Sequence, residues 1–312
     1  MPSYRDNLAT GLLEAMEADD RVVVLGAGVA DPKGVFGTTL EAHRRFPSRV
    51  IETPLSENML TGACAGLAAN GWRPVLVHAR FEFALLGMEH LVNTIAKWPW
   101  LHGGQRLPVV IRCIVGRGWG QGPTHSQSFH HWLAGVPGLR VLYPVLPDDV
   151  GRMLKEAILG EGPVVFIEPR RMYEISQMGG AEKGRVDAQI VTFGDAILDA
   201  VEAWSILKGV GVMVRVVPIQ DMHAVRMWDS TIPIVVVDSE PSIYGANEQT
   251  INGMPHWRKL TSRWQPTPSA FRLEAKHYVD SGRIAEVVLG LLGKGGLETG
   301  NGAVRDDFKG PF

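Results

Sequence analysis

The chain has 312 residues, 45% of them hydrophobic and 21% charged, with a formal net charge of −2. At roughly 150 residues per domain this length provides two cores, and 31 Lys and Arg against 33 Asp and Glu leave no basic field for a phosphate backbone, so nucleic acid is not an expected partner. Two cysteines, Cys64 and Cys113, exclude a disulfide scaffold, Met1 to Asp20 lacks the basic-then-apolar order of a signal peptide, and the uncharged stretch Asn58 to Trp72 is too short and too polar to span a bilayer. The expectation is a cytoplasmic protein that does not cross a membrane.

Tyr4 to Asp19 places Leu8, Leu12, Leu13 and Met16 at helical spacing. Val22 to Leu25 is an apolar run closed by Gly26, the signature of a buried parallel strand. The alternation then repeats: strand Val50-Ile51, a small-residue helix Met59 to Ala69, strand Pro74 to Val77, helix Leu85 to Leu101, strand Val109 to Val115 and a short helix Phe129 to Leu133. Strand Val141 to Tyr143, helix Asp148 to Leu159 and strand Val164 to Ile167 follow. Polar, Gly-containing residues from Arg170 to Arg185 read as a linker. Beyond it come strand Ile190 to Thr192, helix Ile197 to Leu207, strand Val212 to Val217 and a helix capped by Asp221 through Trp228. Strand Ile232 to Val237 and helix Gly282 to Leu292 close the series. The fold class is α/β, with two doubly wound domains built on mainly parallel sheets. The expected divisions are residues 1–186, 187–292 and a Gly-rich tail, 293–312.

Several familiar motifs are missing. Gly26-Ala27-Gly28 follows a strand, but Asp31 occupies the third glycine position of the dinucleotide fingerprint. No P-loop and no G-x-S-x-G elbow is present. His125, His130 and His131 lack the spacing of a metal site, and no metal ligand is assigned; His130 and His131 read as helix-surface residues.

Three places stand out. In Thr53-Pro54-Leu55-Ser56-Glu57, Ser56 can cap the next helix and Glu57 can sit in its first turn. Phe81-Glu82-Phe83 ends a strand, and core packing accounts for both rings. Gly116 to Ser128 is a Gly-rich loop at the carboxyl end of a strand, where α/β proteins place ligands. Its His125 is either an acid–base group or a loop brace.

Together these residues carry a resemblance. Arg49-Val50-Ile51-Glu52-Thr53-Pro54-Leu55-Ser56-Glu57, Phe81-Glu82-Phe83 and Ala96-Lys97 before Gly103-Gly104 come first. Pro108-Val109-Val110-Ile111-Arg112, His125-Ser126-Gln127-Ser128 and Pro137-Gly138-Leu139-Arg140-Val141 follow in order. The chain resembles the beta subunits of the first component of 2-oxoacid dehydrogenase complexes, in the transketolase-like thiamine diphosphate family, up to about residue 290.

The resemblance implies that Glu57 binds N1′ of the cofactor's aminopyrimidine, that Phe83 stacks on that ring, and that His125 faces substrate as a catalytic residue. Phe81 stays a core residue. It implies a pyrimidine-binding domain followed by a transketolase C-terminal-type domain. A carboxylate on N1′ favours the imino form of the cofactor's amino group, the base for the thiazolium proton, and a flat apolar ring holds the pyrimidine without competing for protons. The family's G-D-G motif for diphosphate and Mg²⁺ is absent; the nearest string is Gly194-Asp195-Ala196. The resemblance therefore implies a partner alpha subunit carrying that motif, a second copy of this chain in an alpha2-beta2 assembly, and a lipoyl or other carrier domain.

The implied reaction is C–C cleavage next to a ketone, as in 2-oxoacid decarboxylation with acyl transfer. The alternatives are half of a split transketolase-like enzyme moving a two-carbon ketol unit, and a non-catalytic assembly subunit. His78 and Arg80 depart from the residues common in those beta subunits, and Gly122-Pro123-Thr124 before His125 is closer to transketolases. Arg80 and Arg117 are candidate contacts for an anionic substrate group; the alternative is that they are solvated or pair across an interface.

Overall fold

In a computed structural model, residues 1–180, 182, 184–224, 231–241 and 256–295 are described. They form two compact units. The first contains Met1–Gly116 and Ser128–Gln177; the second contains Arg117–Gln127 and the chain from Met178 onward.

In the first unit, strands β1 (Val22–Gly26), β2 (Val50–Glu52), β3 (Arg73–His78), β4 (Val110–Val115), β5 (Arg140–Leu142) and β6 (Val164–Pro169) form one sheet in the order β2-β1-β3-β4-β6-β5. Every pairing is parallel. β1, β3, β4 and β6 are buried along their whole length, which accounts for their near-continuous apolar runs. Helix α1 (Tyr4–Ala18) opens on a reciprocal capping box between Ser3 and Asp6 and packs on the helix Pro147–Leu159. They meet through glycines: a Cβ on Gly11 would lie 2.2 Å from the Gly151 carbonyl oxygen, and one on Gly151 would lie 2.4 Å from that of Asn7.

Among its described residues the second unit holds four parallel strands. In chain order they are β7 (Ala188–Phe193), β8 (Val214–Ile219), β9 (Ile234–Asp238) and β10 (Trp257–Thr261), arranged β10-β9-β7-β8. The helices Ala196–Gly209 and Ser281–Leu291 pack on each other beside this sheet.

Four expectations change. The division falls after Gln177 rather than at 186, because Gly180 and Glu182 are bound to the second sheet: Val216 N–H donates to the Gly180 carbonyl at 3.0 Å, and Arg215 Nε donates to that of Glu182 at 3.0 Å. The loop 117–127 also belongs to the second unit. The helix expected over Leu85 to Leu101 is broken into a 3₁₀ helix Phe81–Gly87, a π-helix Glu89–Ile95 and one turn Trp98–Leu101. The helix Glu57–Ala69 crosses so close that a Cβ on Gly87 would meet Thr61 Oγ1 at 2.2 Å, and Asn58 Nδ2 captures the Leu86 carbonyl at 3.1 Å. Finally, His130 is fully buried rather than on a helix surface, with Nδ1 2.9 Å from Ser128 Oγ. Asp221 accepts from His223 N–H at 3.0 Å; the helix expected to end at Trp228 falls outside the described residues, as does the tail beyond 295.

At the centre of the first sheet, Arg112 on β4 and Glu168 on β6 are both fully buried. Two parallel bonds join them, Nε to Oε1 at 2.5 Å and Nη2 to Oε2 at 2.9 Å. Thr38 Oγ1 accepts from Nη2 at 3.0 Å, and Tyr173 donates to Glu168 at 2.8 Å. Removing one member leaves a bare buried charge, so Glu168→Leu or Arg112→Met alone is expected to lower stability by about 3–5 kcal/mol, whereas the double apolar replacement recovers most of it. Urea unfolding of the four proteins measures this.

Candidate functional site

Open parallel sheets place ligands beyond the carboxyl ends of their strands, where the strand order reverses. In the first sheet that point lies between β1 and β3: the chain leaves β1 for β2 on one side and returns to β3 on the other. A pocket of about 40 Å³ opens there. Gly26 and Ala27 follow from the end of β1, and His78 and Ala79 from the end of β3; Glu57, Leu60 and Phe83 complete the wall.

Glu57 is the first residue of the helix Glu57–Ala69, where the helix dipole favours a negative charge. Ser56 precedes it but makes no capping bond, so the local cap does not explain this segment. Thr61 Oγ1 donates to the Glu57 carbonyl at 2.7 Å, and Gly87 lies against the same turn. Phe83 is half-buried on the 3₁₀ helix and lines the pocket, while Phe81 is fully buried edge-to-face against Phe129 at 5.5 Å. The structure thus brings Glu57 and Phe83 together and leaves Phe81 in the core. Arg80 is half-buried beside the pocket residue Ala79, whose carbonyl accepts from its Nη1 at 2.6 Å.

His78 adds a polar group whose place at this pocket the sequence reading did not anticipate. It is buried, and its Nε2 has no hydrogen-bond partner among the described residues. Burial pushes its pKa down to about 4, so the ring is neutral at pH 7. Thr53 Oγ1, next to the lining residue Pro54, is likewise buried and unpartnered. A carboxylate, an aromatic face, apolar walls from Leu60, Leu76 and Val77, and unpaired polar atoms at the margin fit an aminopyrimidine ring.

The second unit holds the other two expected residues. His125 is half-buried, and its Nδ1 contacts the Thr124 carbonyl. Arg117 was expected to contact an anionic substrate group. Instead it is buried, with Nη1 3.4 Å from Asp195, Nη2 3.0 Å from Asp199 and its guanidinium 3.9 Å from the centre of the Tyr278 ring. Two carboxylates of its own unit already balance its charge. One of them is Asp195, of the Gly194-Asp195-Ala196 string.

The residues lining this pocket, at the switch point of a parallel sheet, have the chemistry that a pyrimidine ring requires. The transketolase pyrimidine-binding domain family matches residues 1–176, and the chain belongs to that family. The beta subunit of the mitochondrial pyruvate dehydrogenase first component of Saccharomyces cerevisiae is 29% identical over 93% of this chain and 88% of that protein. The Rickettsia bellii beta subunit is 32% identical over 73% of each chain, and that of Arabidopsis thaliana is 33% identical over 71% of this chain and 66% of its own. Matches to such relatives span 53% to 88% of their length. Among solved structures, a split-gene transketolase in an inactive beta4 tetramer has a TM-score of 0.70 at 21% identity, covering 94% of this chain and 98% of that one. A Pichia stipitis transketolase variant has a TM-score of 0.71 at 16% identity, over 94% of this chain and 46% of its own. These two likenesses are of fold.

The neutral state of His78 has a consequence for stability. Its pKa is lower folded than unfolded, so between about pH 6.5 and 4 the unfolded chain holds more protons and stability falls as pH falls. At pH 5 the loss attributable to His78 is about 2 kcal/mol. His78→Phe is expected to flatten that part of the pH–stability curve, read by urea unfolding between pH 7 and 4.5.

Proposed function

We propose that this chain is the beta subunit of a thiamine diphosphate-dependent enzyme that cleaves a C–C bond next to a ketone, with 2-oxoacid decarboxylation and acyl transfer as its reaction. The observation that carries this reading is the meeting of Glu57 and Phe83 in one pocket at the β1/β3 switch point. The named relatives are beta subunits of pyruvate dehydrogenase, which supports the 2-oxoacid as substrate class.

When bound, thiamine diphosphate supplies a carbon nucleophile and an electron sink. The chain's own residues hold and orient it. Glu57 would accept a hydrogen bond from the protonated ring nitrogen N1′ and so favour the imino form of the neighbouring amino group. Phe83 supports the ring face and excludes water from it. His125, on the second unit, moves a proton at the substrate oxygen or the acyl acceptor. Arg80 is the remaining candidate contact for an anionic substrate group, and Arg117 braces its loop.

A partner alpha subunit carries the G-D-G motif for the diphosphate and Mg²⁺, and two copies of each chain assemble as a heterotetramer. A lipoyl-type carrier accepts the acyl unit. Both cysteines are buried free thiols, with Cys64 pushed up to about 12 by burial. They suit the reducing environment of a cytoplasm. Among the described residues no helix is long and apolar enough to cross a membrane.

Glu57→Gln in the reconstituted complex tests the assignment. It removes the charge that tunes the ring and is expected to lower turnover by roughly 100-fold or more. Isothermal titration with thiamine diphosphate and a labelled-CO₂ release assay read binding and turnover separately. Full activity would overturn the catalytic reading in favour of an assembly subunit. Release of an aldose from a ketose, without CO₂, would favour ketol transfer.

A further inference from the structure

The loop Arg117–Gln127 has the form of an anion cradle. Gly118, Gly120 and Gly122 all have positive φ, at +83°, +66° and +75°, and successive N–H groups in such a backbone converge on one point. That point is already filled by the chain itself. Glu274, fully buried at the end of the short helix Phe271–Glu274, accepts from Gly118 N–H through Oε1 at 2.6 Å and from Gly120 N–H through Oε2 at 2.6 Å. Both carboxylate oxygens are used, one per amide.

The fastening continues along the loop. A Cβ on Gly120 would lie 2.8 Å from the Ser269 carbonyl oxygen, and one on Gly122 would lie 2.3 Å from Ser269 Oγ. Glycine is therefore required at both places for backbone conformation and for space. At the start of the loop, Arg117 is pinned by Asp195, Asp199 and Tyr278. Three residues beyond the last of these glycines stands His125. Most of the backbone between Arg117 and His125 is thus located by contacts with 269–274 and with the start of the helix Ala196–Gly209, all within the second unit.

We propose that Glu274 is a positioning residue for His125, and that the C-terminal unit serves to set the placement of this histidine. This deepens the function proposed above and rests on its assignment of His125. A carboxylate is needed because two N–H donors must be met by two acceptors. A carboxamide offers one oxygen and would turn an NH₂ toward the second amide.

The test uses the reconstituted complex with Glu274→Gln, Gly122→Ala, His125→Ala and the double variant Glu274→Gln/His125→Ala. Gly122→Ala disturbs the same fastening without touching a buried charge, so it covers the event that Glu274→Gln does not fold. Hydrogen exchange by mass spectrometry is expected to show the amides of 117–127 exchanging about tenfold or more faster in both loop variants, with the strands of both sheets unchanged. Turnover is expected to fall about 10- to 100-fold while the Kd for thiamine diphosphate moves less than about twofold. Glu274→Gln is expected to add almost nothing in the His125→Ala background, since a residue acting through another cannot act once that one is gone.

An unchanged exchange pattern, or an undiminished loss of turnover in the double variant, overturns the positioning role. So does a loosened loop with full turnover while His125→Ala is impaired, and in that outcome the assignment of His125 stands. If His125→Ala itself is fully active, the assignment of His125 fails and the positioning role falls with it.

Discussion

A guanidinium and a carboxylate with no exposure to water must be matched almost completely, and the first unit is organised around that requirement. Arg112 and Glu168 lie on adjacent strands, two positions apart in the register in which Arg112 faces Phe166. Satisfying them recruits Thr38 from the loop after β1 and Tyr173 from the turn after β6. Tyr173 in turn stacks on Tyr4 of α1 at 5.9 Å, and the Tyr4 hydroxyl donates to the Pro144 carbonyl. Four separate segments are thereby tied to the central strands. Apolar residues would hold these strands together as firmly. They would not specify which loop returns to which strand, and that return fixes the ends of β1, β3 and β4, from which the pocket and the loop of His125 begin.

Two carboxylates illustrate how placement decides use. Glu57 starts a helix and lines a pocket. Glu274 ends a helical turn in the core, with both oxygens held by backbone amides. Each answers an electrostatic demand of the backbone, the N-terminal dipole for Glu57 and converging N–H groups for Glu274. The carboxylate of Glu274 is consumed by its own backbone, whereas Glu57 lies at a pocket. Arg117 obeys the same logic with opposite sign: a cation that close to Asp195 and Asp199 is held by them before any substrate arrives.

The alternation of strands and helices, and hence both parallel sheets, was legible because buried parallel strands are short apolar runs closed by Gly or Pro. Glu57 and Phe83 were legible as a pair only through the resemblance, since a helix start and a core aromatic explain each of them locally. The helix expected over 85–101 was misread because periodicity does not report the nearness of another helix; Gly87 against Thr61 does, and that contact spans 26 residues. Glu274 and Tyr278 left no signal, because their partners lie about 155 residues upstream. A separation of 78 and 82 residues from Asp195 and Asp199 likewise made Arg117 look like a ligand contact. Its countercharges were in the sequence, and nothing in their spacing paired them with it.

The size of the pocket gives the division of labour a physical basis. About 40 Å³ admits a water or two, against the 300–1,000 Å³ of a typical small-molecule site. A ring of pyrimidine size needs more wall than these lining residues supply. Leu55 is 80% exposed, Leu86 60% and Met59 52%; Met59 and Leu86 stand on the two elements that carry Glu57 and Phe83, and Leu55 lies just before the first of them. Large apolar side chains concentrated around a functional carboxylate are tolerated where another surface covers them. Covering them would also remove water from around Glu57, strengthening its hold on a ring proton. A small pocket with an apolar rim beside a carboxylate would therefore link the proposed assembly to the environment of Glu57: the surface that covers the rim also sets the dielectric around the carboxylate.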